Sequence, residues 1–128
     1  MAGKLERRVA VITGASRGLG EAMARALAAE GASVALVSRD RDLLHRVSAD
    51  IRAAGGRAEP FAADVASEEQ VRRVEQEVLE RFGTVNILIN NAGVVMRSPI
   101  GEISLEDWRR VMDTNVTSAF LMCRSLIP

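Results

Sequence analysis

Four short apolar runs, each followed by a helical stretch, limit what this chain can fold into. The first, Arg8 to Thr13, is β-branched and closed by Gly14. The second is Ala32 to Ser38, the third Arg57 to Ala63, and the fourth Val85 to Ile89. Short apolar runs bounded by turn residues predict buried strands. Between them lie segments with apolar residues at spacings of three and four, as an amphipathic helix requires. Gly18 to Glu30 is rich in Ala, Met and Leu and is stopped by Gly31. Leu44, Val47 and Ile51 form the stripe of the next helix, which Gly55 and Gly56 end. Val71, Val74, Val78 and Phe82 form the third stripe, which Gly83 ends.

Three positions read as helix caps. Asp40 precedes the second helix, Ser67 opens a capping box with Gln70, and Ser104 precedes a last helix from Leu105 onward. That last helix carries Leu105, Trp108, Val111, Met112, Val116, Ala119 and Phe120 on its apolar side, a face that this chain is expected to leave uncovered. Strands alternating with helices predict βαβ units. Nearly continuous apolar strands predict a sheet covered on both faces. The expected fold is α/β: a doubly wound parallel sheet of Rossmann type, in one domain over residues 1–128. Ligands of such sheets bind beyond the carboxyl ends of the strands. The unusual residues lie there: Gly14 to Gly20, Ser38 and Arg39, Asp64, and Asn90 to Gly93.

Composition excludes several roles. Basic and acidic residues balance at 17 each, for a formal net charge of zero, which argues against a general nucleic-acid binder or acidic-membrane binder. No run approaches the ~18 apolar residues of a transmembrane helix. The N-terminus lacks the apolar core of a signal peptide. The single cysteine, Cys123, has no partner for a disulfide, so a reducing, cytoplasmic setting is expected. No cluster has metal-ligand spacing, and His45, the one histidine, belongs on a polar helix surface. Trp108 and Cys123 are expected in the core or at an interface.

The stretch TGASRGLG spaces its glycines G-x-x-x-G-x-G, at Gly14, Gly18 and Gly20. Gly14 permits a sharp turn out of the strand. Gly18 and Gly20 open a helix whose N-terminal N–H groups suit a pyrophosphate, and Ser16 adds a hydroxyl. A P-loop needs G-x-x-x-x-G-K-[ST], and neither its spacing nor its lysine is present. An NAD site places an acidic residue at the end of the second strand. Here Ser38 and Arg39 stand there, and Arg17 lies in the glycine loop. Guanidinium groups suit a 2′-phosphate, so NADP(H) is favoured over NAD(H). Asp40 reads either as a helix cap or as the ribose acid slipped along the chain.

Taken in order, TGASRGLG, Asp64-Val65, NNAG at 90–93 and DTNVTSAF resemble the N-terminal half of the short-chain dehydrogenase/reductase family. The likeness extends to its bacterial 3-oxoacyl-carrier-protein reductase and gluconate 5-dehydrogenase-like members, and it covers essentially the whole chain. The resemblance implies an oxidoreductase moving hydride between a nicotinamide dinucleotide and a small carbonyl or alcohol substrate. It places Gly14, Ser16, Arg17, Gly18, Leu19 and Gly20 at the cofactor's phosphates and ribose. Ser38 and Arg39 would meet the 2′-phosphate, and Asp64 and Val65 would flank the adenine. Asn91, Ala92 and Gly93 would pass the nicotinamide-side ribose. Asn115 matches the asparagine of the family's catalytic set, which helps hold a water in a proton relay. From the residues alone it reads as a structural amide on or beside a buried helix face.

The family's acid is a tyrosine with a lysine four residues later, aided by a serine. This sequence has no tyrosine, and its one lysine, Lys4, precedes the first strand. The chain is therefore expected to be the cofactor-binding half of a longer reductase, inactive alone. The uncovered fourth strand would be protected by another copy, as a homo-oligomer. The alternative is a non-catalytic dinucleotide-binding or regulatory module.

Overall fold

The computed structural model describes residues 3–128. Strands β1 (Val9–Thr13), β2 (Ser33–Ser38), β3 (Arg57–Ala62) and β4 (Ile87–Ile89) form one sheet in the order β3-β2-β1-β4. Every neighbouring pair is parallel. Order reverses between β1 and β4, the switch point of a doubly wound sheet. The helices are α1 (Gly18–Ala29), α2 (Arg41–Ala53), α3 (Glu68–Phe82), α4 (Leu105–Met112) and α5 (Ser118–Leu126).

Both sheet faces are covered. Ala10, Ile12, Val34 and Leu36 point to one side and pack with Ala24 and Ala28 of α1 and Leu44, Val47 and Ile51 of α2. Val11, Ala35, Val37 and Phe61 point to the other side. They meet Val71, Val74 and Val78 of α3 and Leu121 and Met122 of α5. Two-sided burial is why β1 and β2 lack the polar alternation of a one-sided strand. Arg25 of α1 ties to Asp50 of α2 at 3.1 Å and to Glu21 at 2.6 Å. These carboxylates, Glu21 first, raise its already high pKa.

The predicted caps form. Asp40 Oδ1 accepts from Leu43 N at 3.0 Å and Ser104 Oγ from Asp107 N at 3.0 Å. Ser67 Oγ accepts from Gln70 N at 3.3 Å, but Gln70 Oε1 accepts from Asp64 N at 2.7 Å. The return half of the capping box thus ties α3 to the end of β3. Strand β4 is shorter than expected, because Val85 and Asn86 serve as its lead-in, with Asn86 Oδ1 accepting from Val9 N at 2.8 Å.

The last helix departs from expectation. A π-helical turn, Asp113–Thr117, divides α4 from α5. Leu105, Trp108, Val116 and Phe120 are about half exposed or more; the Arg124 guanidinium lies over the Phe120 ring, 4.9 Å from its centroid. The buried side is Ser118, Leu121 and Met122, the positions that face α3. Trp108 is therefore outside the core of the described fold, while Cys123 is half-buried.

Candidate functional site

The carboxyl ends of β1, β2, β3 and β4 open into a cavity of about 580 Å³. Its floor begins at Gly14, where the chain leaves β1 with φ of 65°. A Cβ at Gly14 would lie 2.9 Å from Asn91 Nδ2 and 3.0 Å from Ala92 Cα. Glycine is needed there both for the left-handed turn and for the close passage of NNAG. Ser16 is buried at the wall, and Arg17 stands exposed beside it in extended conformation, with φ of −165°.

Helix α1 then starts at Gly18. Helices α2, α3 and α4 each have a side-chain cap, while α1 has none. Its first-turn N–H groups are left for solvent or an anion, where the helix dipole favours negative charge. Gly20 also has a packing task. It is buried beneath the turn, and a Cβ there would fall 2.0 Å from Gly14 O. Its missing side chain lets α1 pack on the β1 turn.

The second wall comes from β2. Ser38 Oγ accepts from Asp40 N at 3.1 Å, which shapes the turn that carries exposed Arg39. Asp40 lines the cavity, but its Oδ1 is engaged as the α2 cap. Asp64 lies across from them, its Oδ1 accepting from Ala66 N at 2.9 Å, with Val65 buried alongside. A second cavity of about 520 Å³ shares Arg39, Asp64 and Thr114 with the first and extends along α4 past Arg109 and Arg110.

The third wall is Asn91, Ala92 and Gly93. Thr13, buried at the end of β1, holds this segment in place. Its Oγ1 accepts from Asn91 N at 3.0 Å and from Ala92 N at 2.9 Å, and lies 3.5 Å from Ile89 O. Asn91 Nδ2 donates to Gly14 O at 3.2 Å, closing the link between the two motifs. The sequence reading did not single out Thr13. Its signal was available: a hydroxyl ending an otherwise apolar buried strand needs a partner.

Asn115 sits in the π-helical turn and is exposed, which corrects its expected place beside a buried face. No element among the described residues covers that side. Its amide still has two partners: Oδ1 accepts from Val94 N at 2.7 Å and Nδ2 donates to Val94 O at 2.9 Å. It fastens the segment after β4 to the α4–α5 hinge. Gly18, Leu19, Gly20 and Asn115 do not line the cavity, and Leu19 projects into solvent at 75% exposure. Gly14, Ser16, Arg17, Ser38, Arg39, Asp64, Val65, Asn91, Ala92 and Gly93 all do.

This is a glycine-turn cavity at the switch point of a doubly wound sheet, a place where nucleotides bind. Comparison with known proteins makes the class specific: residues 8–128 match the family model for short chain dehydrogenase, and the chain belongs to that family. It is 36% identical over 123 residues to D-threitol dehydrogenase of Mycolicibacterium smegmatis, spanning 96% of this chain and 47% of the relative. A metagenomic short-chain oxidoreductase solved in complex with NADP superposes with TM-score 0.92 at 38% identity, over 97% of this chain and 57% of that one. L-sorbose reductase from Gluconobacter frateurii, complexed with NADPH and L-sorbose, superposes with TM-score 0.94 at 38% identity, over 100% and 49%. The chain spans about half the length of these relatives. Among the described residues no helix is long and apolar enough to cross a membrane.

Proposed function

We propose that this chain binds NADP(H) for an oxidoreductase that moves hydride between the nicotinamide and a small carbonyl or alcohol substrate. The observation that carries the reading is the uncapped start of α1, opening into a cavity that Arg17 and Arg39 flank. The donor set fits a dinucleotide phosphate. Backbone N–H groups at Arg17 to Leu19 and the Ser16 hydroxyl suit the pyrophosphate. The Arg17 and Arg39 guanidiniums suit a 2′-phosphate, which a carboxylate at the end of β2 would repel. Asp64 and Val65 flank the adenine, while Asn91 to Gly93 steady the nicotinamide side. When bound, the nicotinamide supplies or accepts the hydride. Asn115 takes part in holding the relay water: Val94 occupies one bond at Oδ1 and one at Nδ2, and the amide keeps a second N–H and a second lone pair on its exposed side.

A tyrosine–lysine acid of the kind the family uses is not among these residues, since the sequence holds no tyrosine and only Lys4 as a lysine. That same observation favours the second reading, a dinucleotide-binding module that does not catalyse. The exposed Leu105, Trp108, Val116 and Phe120 support assembly into a homo-oligomer. The single cysteine supports a reducing, cytoplasmic setting.

Calorimetric titration of the chain with NADPH and with NADH tests the reading. Saturable binding that favours NADPH, and loses that preference in Arg17→Ala/Arg39→Ala, is the expected result. Equal affinity for the two nucleotides, or binding of neither, overturns it. Turnover of any carbonyl substrate by the chain alone eliminates the non-catalytic module.

A further inference from the structure

A second cleft lies at the opposite end of the sheet. There the strand starts come level, with Val9 beside Ser33 and Ser33 beside Arg57. The cleft has a volume of about 550 Å³, close to the 580 Å³ of the first cavity. Arg7, Arg52, Arg57 and Arg81 line it, with Ser33, and Glu59 is the one acidic residue lining it. A local positive excess of this kind contrasts with a chain whose net charge is zero.

Two of the arginines have a structural task. Arg52 and Arg81 lie in the last turns of α2 and α3, where cations suit the helix dipoles. Glu59 holds both: Oε2 is 2.9 Å from Arg52 Nη2, and Oε1 is 2.7 Å from Arg81 Nη2. One carboxylate is thus shared between two guanidiniums, which fixes their forks without neutralising both. Arg7 and Arg57 have no such account. Both are exposed, and neither takes part in an ion pair among the described residues. Arg7 also holds φ of 65°, a left-handed conformation that arginine seldom adopts. That turn sets residue 7 at the cleft rather than in line with β1.

We propose that this cleft is a second anion site, for a small ligand bearing a diphosphate. Planar guanidinium forks match phosphate oxygens with paired hydrogen bonds. Arg7 and Arg57 line the same cleft without an ion pair among the described residues, which leaves two guanidinium forks for a ligand with two phosphate groups. The diphosphate could be free or part of a nucleotide, and the chemistry at the arginines is the same.

Amide chemical-shift titration of the full chain separates this cleft from the cofactor cavity. Inorganic pyrophosphate is expected to shift Ser33, Arg57 and Thr84 saturably, apart from Gly14, Arg17 and Gly18. Arg7→Gln/Arg57→Gln should weaken the first response at least about tenfold and leave the second in place, since charged pairs carry most of such binding. An ADP arm assigns the source: tighter binding than pyrophosphate supports a nucleotide, and equal binding supports free diphosphate. No shift at Ser33 and Arg57, or shifts undiminished in the double variant, overturns the proposal. Silence at Gly14 to Gly18 would count against the dinucleotide reading instead.

Discussion

Thr13→Val should be the most informative single change in the fold, because it alters almost no volume. Thr13 is 1% exposed, and its hydroxyl accepts from two backbone N–H groups, Asn91 N and Ala92 N. Valine fills the same space and accepts nothing. Each N–H left without a partner costs about 1–3 kcal/mol when buried. Asn91 and Ala92 are only half-buried, so water recovers part of that. The net expected loss is about 2–4 kcal/mol, a large share of the ~5–15 kcal/mol that stabilises a typical domain. In urea unfolding, with a slope of about 2 kcal/mol/M, the midpoint should fall by roughly 1–2 M. Thr13→Ser is the control. It keeps the acceptor and loses one methyl, for about 0.5–1.5 kcal/mol by analogy with Ile→Val. The dinucleotide affinity of Thr13→Val should fall as well, since NNAG is one wall of the cavity. If Thr13→Val proves no less stable than Thr13→Ser at unchanged slope, the hydroxyl does not hold the two strand ends together.

Arg39→Ala should lower NADPH affinity roughly ten- to hundredfold and leave NADH affinity nearly unchanged, as one lost charged hydrogen bond predicts; calorimetry reads both. Gly20→Ala puts a Cβ 2.0 Å from Gly14 O, a backbone atom that cannot swing aside. It should cost about 3 kcal/mol or prevent folding, seen by circular dichroism and urea unfolding. Met122→Ala removes a side chain that is 1% exposed from the α3–α5 contact and should cost about 2–5 kcal/mol in the same assay.

Much of this molecule is legible because its information is local. A β-branched run that ends at a glycine, a helix that ends at a glycine, and an Asp or Ser before each of α2 to α4 are decided within a few residues. The cavity-lining set was legible for the same reason. Backbone turns at strand ends make the site, and the sequence marks them with glycines and small polar residues. What escaped the reading depends on contacts between distant segments. Thr13 acts on residues some eighty positions away, and Gly20 is also held by its contacts with Gly14 and Asn91. The apolar stripe of the last helix was legible as a stripe, but periodicity reports which residues avoid water, not what covers them. The π-helical turn at Asp113–Thr117 adds a rotation that no three-and-four spacing anticipates.

The two halves of the proposed chemistry differ in how they are built. Nucleotide binding rests on backbone groups, a helix start and two guanidiniums, all supplied between β1 and β4. Hydride transfer to a carbonyl also requires an acid at the substrate oxygen. No tyrosine exists in this sequence to provide it, and Lys4 lies before β1, at the sheet end away from the cavity. Among the described strands β4 pairs with β1 alone, so its other edge is free, beside the NNAG wall. A further strand added there would continue the sheet and bring new side chains to the open side of the cavity. The same addition that covers the apolar edge is thus placed to supply the acid. Restoring turnover by adding a segment that pairs with β4 is the decisive outcome. Failure of such a complex to react, with NADPH bound and the edge covered, would leave the chain a binding module.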